Sequence, residues 1–105
     1  MNYKLICSDI DGTLLNKDRE LSKNTISQVK RMAPIPFVLI SSRMPKAMRH
    51  LQHELGNAST PIIAYNGGLI INEDKVLQST EINNSVLESI INKCTIYLYW
   101  ISYRA

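Results

Sequence analysis

Short apolar runs alternate along the chain with amphipathic stretches, and each run stops at a polar or glycine-containing cluster. Tyr3 to Ser8 is apolar apart from Lys4 and ends at Asp9. A run of this kind predicts a buried strand, and Asp11-Gly12-Thr13 supplies the turn after it. Residues 16–21 are polar and read as a loop. Ser22 is suited to cap a helix, and Ile26, Val29 and Met32 or Ala33 recur at helical spacing, which predicts a helix over 23–33. Pro34 and Pro36 end it. Phe37-Val38-Leu39-Ile40 predicts a second buried strand, stopped by Ser41-Ser42-Arg43. Pro45 suits the first turn of a second helix, with Ala47, Met48, Leu51 and Leu55 along its apolar side and Gly56 at its C-terminal stop.

Pro61 to Tyr65 predicts a third strand, closed by Asn66-Gly67-Gly68. Leu69-Ile70-Ile71 and Lys75-Val76-Leu77 flank Asn72-Glu73-Asp74 in a hairpin pattern. A third helix fits 84–93, and its stripe of Val86, Leu87, Ile90 and Ile91 is expected to lie in a core or an interface. Thr95 to Tyr103 is aromatic and β-prone. Strands alternating with helices of this length predict an α/β fold, a parallel sheet with helices on its faces. Three clusters, Asp9-Asp11, Ser41-Ser42-Arg43 and Asn66-Gly67, each follow the C-terminal end of a predicted strand. Ligands of open α/β sheets bind at that edge.

Composition narrows the classes without choosing a chemistry. The chain has 105 residues, 45% hydrophobic and 20% charged, as expected of one small soluble domain. No apolar run approaches the roughly 18 residues of a membrane span, and the N-terminal run is too short for a secretory segment, so a cytoplasmic location and no membrane partner are expected. The net charge of +3 comes mainly from Lys17 to Arg49 and forms no like-charge block. Without a basic stripe interleaved with aromatics, no nucleic-acid partner is expected. Cys7 and Cys94 form no metal or redox pattern, and Cys7 is expected to be a small core residue. His50 and His53, three apart, are expected on the surface, since two histidines do not make a metal site.

Asp9-Ile10-Asp11-Gly12-Thr13 is the strongest chemical signal. A carboxylate just past a strand is rigidly held, and a second one two residues on reaches the same space if the chain turns at Gly12. Paired acids can divide the work of nucleophile or metal ligand and proton shuttle. Carboxylates form aspartyl-phosphates, and clustered oxygens suit Mg²⁺. A serine hydroxyl at the end of the second strand, beside a helix start, is placed to meet phosphate; it is equally able to cap a turn. Asn66-Gly67 is either a hairpin turn or a group reaching toward substrate.

The segment Leu5 to Leu15, an apolar strand followed by DxDGT, resembles the first motif of the haloacid dehalogenase (HAD) superfamily. Val38-Leu39-Ile40-Ser41-Ser42-Arg43 resembles the second motif, which in the large-capped Cof-like branch usually reads T-G-R; Ser41 takes the hydroxyl position and Ser42 stands where glycine is usual. Ala64 to Ile70 resembles the N-G-[AG] segment of that branch. The resemblance implies a partial Rossmann-like core over 1–80, its hairpin leading into the start of an α/β cap or an aberrant tail over 81–105. It implies Asp9 as nucleophile, Asp11 as general acid and base, and Asp9 with the Asp11 carbonyl as Mg²⁺ ligands. Thr13, Ser41, Ser42, Arg43, Asn66 and Gly67 would serve the phosphate. The implied activity is Mg²⁺-dependent hydrolysis of small phosphorylated metabolites. An inactive fragment that binds metal or phosphate, or associates with itself through an incomplete core, and a phosphomutase on the same framework are the alternatives. The lysine and final acidic motifs of the family have no recognisable counterpart here, and no Asp or Glu follows Glu88.

Overall fold

The computed structural model describes residues 2–93; Cys94 and the β-prone stretch 95–103 lie outside the described residues. Five strands form one sheet in sequence order: β1 (Ile6–Asp9), β2 (Phe37–Ile40), β3 (Ile62–Ala64), β4 (Leu69–Asn72) and β5 (Lys75–Ser79). The first three are parallel, and the hairpin extends the same sheet, β4 pairing antiparallel to β3 and β5 antiparallel to β4. The expected parallel sheet is therefore a mixed one. Helix α1 (Lys23–Arg31) crosses from β1 to β2, α2 (Arg49–Leu55) from β2 to β3, and α3 (Asn84–Lys93) follows the hairpin.

Local signals set most of the ends. The Ser22 side chain accepts from the Thr25 N–H at 3.1 Å and starts α1. Pro45–Ala47 forms a separate tight turn before α2, broken from it at Met48, so the second helix begins four residues later than its proline suggests. Gly56 ends α2 at φ +74°, and its N–H closes on the Gln52 and His53 carbonyls.

One face of the sheet holds the core. Phe37 and Leu39 of β2, and Ile62 and Ala64 of β3, pack with Val29 of α1 and with Met48, Leu51 and Leu55 at α2. The helices touch each other, which places both on this face. Period-2 alternation sends Cys7, Val38, Ile40 and Ile63 to the opposite face. There Val38 is buried in mid-sheet, Ile40 and Ile63 are half-buried, and Cys7 is exposed.

Three expectations are corrected here. The first strand is shorter than the apolar run from Tyr3, and Tyr3 and Leu5 are exposed. Cys7 is no core residue, because β1 is an edge strand with nothing over its second face among the described residues. The α3 stripe is not core either: no residue of α3 is buried, and Val86 is 51% exposed. His50 and His53 are exposed, as expected. Among the described residues, no helix is long and apolar enough to cross a membrane.

The asymmetry sets a test. Leu39 is fully buried, so Leu39→Ala should cost about 2–5 kcal/mol in urea denaturation. Cys7→Ala, on the open face, should change stability by less than about 0.5 kcal/mol.

Candidate functional site

The turn after β1 is a staple with its acids outside. Ile10 is fully buried and Leu15 nearly so, with Asp9 exposed just before them and Asp11, Gly12 and Thr13 exposed between them. The Leu15 N–H donates to the Ile10 carbonyl at 3.1 Å and closes a wide five-residue turn, Ile10–Leu14. Asp11 is extended within it, and Gly12 turns the chain at φ +78°. A Cβ at Gly12 would meet no heavy atom within 4 Å, so the demand for glycine there is conformational.

Asp9 ends β1. One carboxylate oxygen, Oδ1, accepts the Ile10 N–H at 2.9 Å. No hydrogen bond to the other oxygen is found among the described residues, and the side chain faces solvent.

The Ser41 loop and the Asn66 turn are knitted together. Ser41 extends the β2–β3 ladder by donating its N–H to the Ile63 carbonyl at 3.0 Å. Its carbonyl accepts from the Asn66 N–H at 2.9 Å, and the Arg43 carbonyl accepts from the Tyr65 N–H at 3.0 Å. These two bonds hold Tyr65 and Asn66 at φ +50° and +54°, with Gly67 at +95°. A left-handed tyrosine is uncommon, and here both strained N–H groups gain carbonyl partners. Ser41 is buried, and its hydroxyl oxygen accepts the Arg43 N–H at 3.0 Å. Asn66 is therefore a turn residue, and its side chain is exposed.

Arg43 crosses to the first turn. Its Nε donates to Asp11 Oδ2 at 2.9 Å and its Nη2 to Asp11 Oδ1 at 2.7 Å, a two-point pair. Nη1 donates to the Ala47 carbonyl at 3.1 Å. These hydrogen bonds hold the Asp11 carboxyl below its usual range; slight desolvation opposes them, and the charges of Arg43 and Arg19 add to the lowering. The same bonds raise Arg43.

The structure thus brings Asp9, Asp11, Ser41 and Arg43 to one edge, with Asn66 and Gly67 in the adjoining turn. Thr13 and Ser42 sit exposed on the same two loops. The sequence reading did not foresee the Ala47 carbonyl that anchors Arg43, nor Tyr65 as the residue that ties the third strand's turn to the second. It also missed Arg49, which donates to the Glu73 carbonyl in the hairpin turn. Two surface grooves among the described residues run along α1 and, at the opposite end of the sheet, between Pro34–Phe37 and Leu55–Thr60. The acids stand on an open surface.

Acids and hydroxyls gathered at the C-terminal ends of parallel strands stand at the edge where open α/β sheets bind their ligands. The family model described as haloacid dehalogenase-like hydrolase matches residues 6–103, and the chain belongs to that family. It is similar to a candidate phosphatase of Haemophilus influenzae, with 36% identity over 76 residues, 70% of this chain and 29% of the relative. It is also 33% identical over 67 residues to the 5-amino-6-(5-phospho-D-ribitylamino)uracil phosphatase of Bacillus subtilis, 63% of this chain and 25% of that protein. A haloacid dehalogenase-like hydrolase from Bacteroides thetaiotaomicron shares the fold at TM-score 0.79 and 34% identity, over 87% of this chain and 36% of that one. The chain spans 25% to 36% of the length of the curated relatives it matches.

The Arg43–Asp11 pair carries a pH signature. A depressed carboxyl contributes stability above its unfolded value, near 4, and loses it as pH falls through the lower folded value. Arg43→Met should cost up to about 1 kcal/mol at neutral pH, small because the Asp11 side chain is 47% exposed. Urea curves of the two proteins should converge at strongly acid pH. A gap that persists there would assign the loss to packing.

Proposed function

We propose that this chain carries the nucleophile side of a phosphohydrolase site for small phosphorylated metabolites, with Asp9 as nucleophile. The observation that carries this reading is Asp9 itself: it ends a parallel strand, is oriented through one oxygen by the Ile10 N–H, and presents the other to solvent. Attack by that oxygen on phosphorus would form an aspartyl-phosphate as the alcohol oxygen departs. Asp11, two residues on, would protonate the leaving oxygen and then take a proton from the water that hydrolyses the intermediate. The Ser41 hydroxyl, Thr13, Ser42, Arg43, Asn66 and Gly67 border the space a phosphate would fill.

Mg²⁺ fits the donors in kind. The Asp9 carboxylate and the Asp11 carbonyl are hard oxygens, and Mg²⁺ commonly uses one or two carboxylates with water and substrate phosphate. When bound it would supply positive charge between nucleophile and phosphate. Among the described residues, no cluster of three or more acidic, histidine or cysteine side chains completes the site. We place a boundary near residue 80, after β5, with 1–80 as core and 81–105 as the start of a further unit.

The partial donor set among the described residues favours a second reading, binding without turnover. With Mg²⁺ present, p-nitrophenyl phosphate hydrolysis by the 105-residue chain should fall to background in Asp9→Asn. Equal rates in the two would leave only the binding reading. The β1 edge, unpaired among the described residues, and the half-exposed apolar face support self-association. Sedimentation velocity over a concentration series should show a rising average mass; a constant monomer would remove that part.

A further inference from the structure

Building on the phosphohydrolase reading, we propose that Arg43 is a clamp shared by two anions in turn. The Asp11 carboxylate holds it now; a substrate phosphate takes the same donors and frees Asp11.

The two partners are fixed unequally. Arg43 is tethered at its main-chain N–H by the Ser41 hydroxyl, at its carbonyl by the Tyr65 N–H, and at Nη1 by the Ala47 carbonyl. Its side chain is 24% exposed. What is left is one edge of the guanidinium, Nε and Nη2, and both of those donors go to Asp11. That two-donor edge matches phosphate as well as carboxylate.

Asp11 is the looser partner. It projects from the middle of a turn whose anchors, Ile10 and Leu15, lie on either side, and the space around Gly12 is open. The turn can therefore swing the carboxylate without disturbing the core. A half-exposed ion pair is weak enough for a dissolved anion to displace.

A second donor lies two residues from Arg43. The Ser41 hydroxyl oxygen is used as an acceptor, yet no acceptor for its hydrogen is found among the described residues, although Ser41 is only 3% exposed. Ser41 and the Arg43 edge lie on one loop and together offer a phosphate three donors. Under this exchange, phosphate arrival and release of Asp11 are one event, so Asp11 becomes available for proton transfer only with substrate in place.

The test is binding of inorganic phosphate, by calorimetry on the 105-residue chain at neutral pH without added divalent cation. Asp11→Asn should bind on the order of three- to tenfold more tightly than the parent. Adding Arg43→Met to Asp11→Asn should abolish that gain, and Arg43→Lys in the same background should restore part of it. Asp9→Asn removes the same charge without touching the clamp and should gain clearly less. Equal or weaker binding by Asp11→Asn, an equal gain from Asp9→Asn, or no saturable binding in Asp11→Asn would overturn the exchange. Turnover plays no part in this measurement. Loss of the Asp9-dependent hydrolysis would sink the enzyme reading and leave the clamp standing, and the reverse outcome is equally distinct.

Discussion

The site depends on the in-register parallel pairing of three short strands. Asp9 pairs with Ile40, and Ile40 with Ile63, so the three strands reach their C-terminal ends almost level. The residues that follow each strand then emerge in one row: Asp11, the Ser41–Arg43 loop and the Asn66 turn. A one-residue slip of β2 against β1 would turn Leu39 out of the core and carry Arg43 away from Asp11. The apolar alternation that buries Phe37, Leu39, Ile62 and Ala64 therefore also positions the polar edge. Packing and chemistry share one register.

The loops then lock that row from the polar side. Tyr65 and Asn66 adopt left-handed backbone, and their N–H groups reach back to the carbonyls of Arg43 and Ser41. The Arg43 guanidinium spans from the Ala47 carbonyl to Asp11 and ties the turn before α2 to the turn after β1. Among the described residues this is the one ion pair. Its worth to stability is small because it is half exposed. Its worth to the site is geometric, since it decides where Asp11 points.

Much of this was legible in the chain, for a physical reason. Strand ends, the Gly12 turn, the Ser22 cap and the Gly56 stop are set by local sterics and hydrogen bonding, which neighbouring residues announce. The exposure of Cys7 was not legible, because it depends on what covers the second sheet face, and Ile6 to Asp9 reads the same either way. The stripe on α3 is the same case: its spacing shows a helix but not what lies against it. The Arg43–Asp11 bond joins residues 32 apart and exists only once the register is set. The resemblance to T-G-R implied a phosphate-binding role for Arg43. The structure gives it a carboxylate instead, and the two roles use the same donors.

Charge at the edge leads one step further. Arg43 and Asp11 cancel, which leaves Asp9 as a carboxylate with no cationic partner among the described residues. One N–H bond orients it without neutralising it. In the proposed site a phosphate monoester would bring more negative charge near Asp9, and because Asp9 is exposed, water and salt screen that repulsion to about 1 kcal/mol or less at about 4 Å. Releasing Arg43 to the phosphate removes some of that repulsion but exposes the Asp11 charge, so the total at the edge does not change. Rearrangement among Asp9, Asp11 and Arg43 leaves the binding of a phosphate there weak; added positive charge would strengthen it. A hard dication between the Asp9 carboxylate and the phosphate meets that need with the oxygen donors already in place. If a phosphate binds at this edge as proposed, the arrangement of Asp9, Asp11 and Arg43 would itself favour a cation beside it.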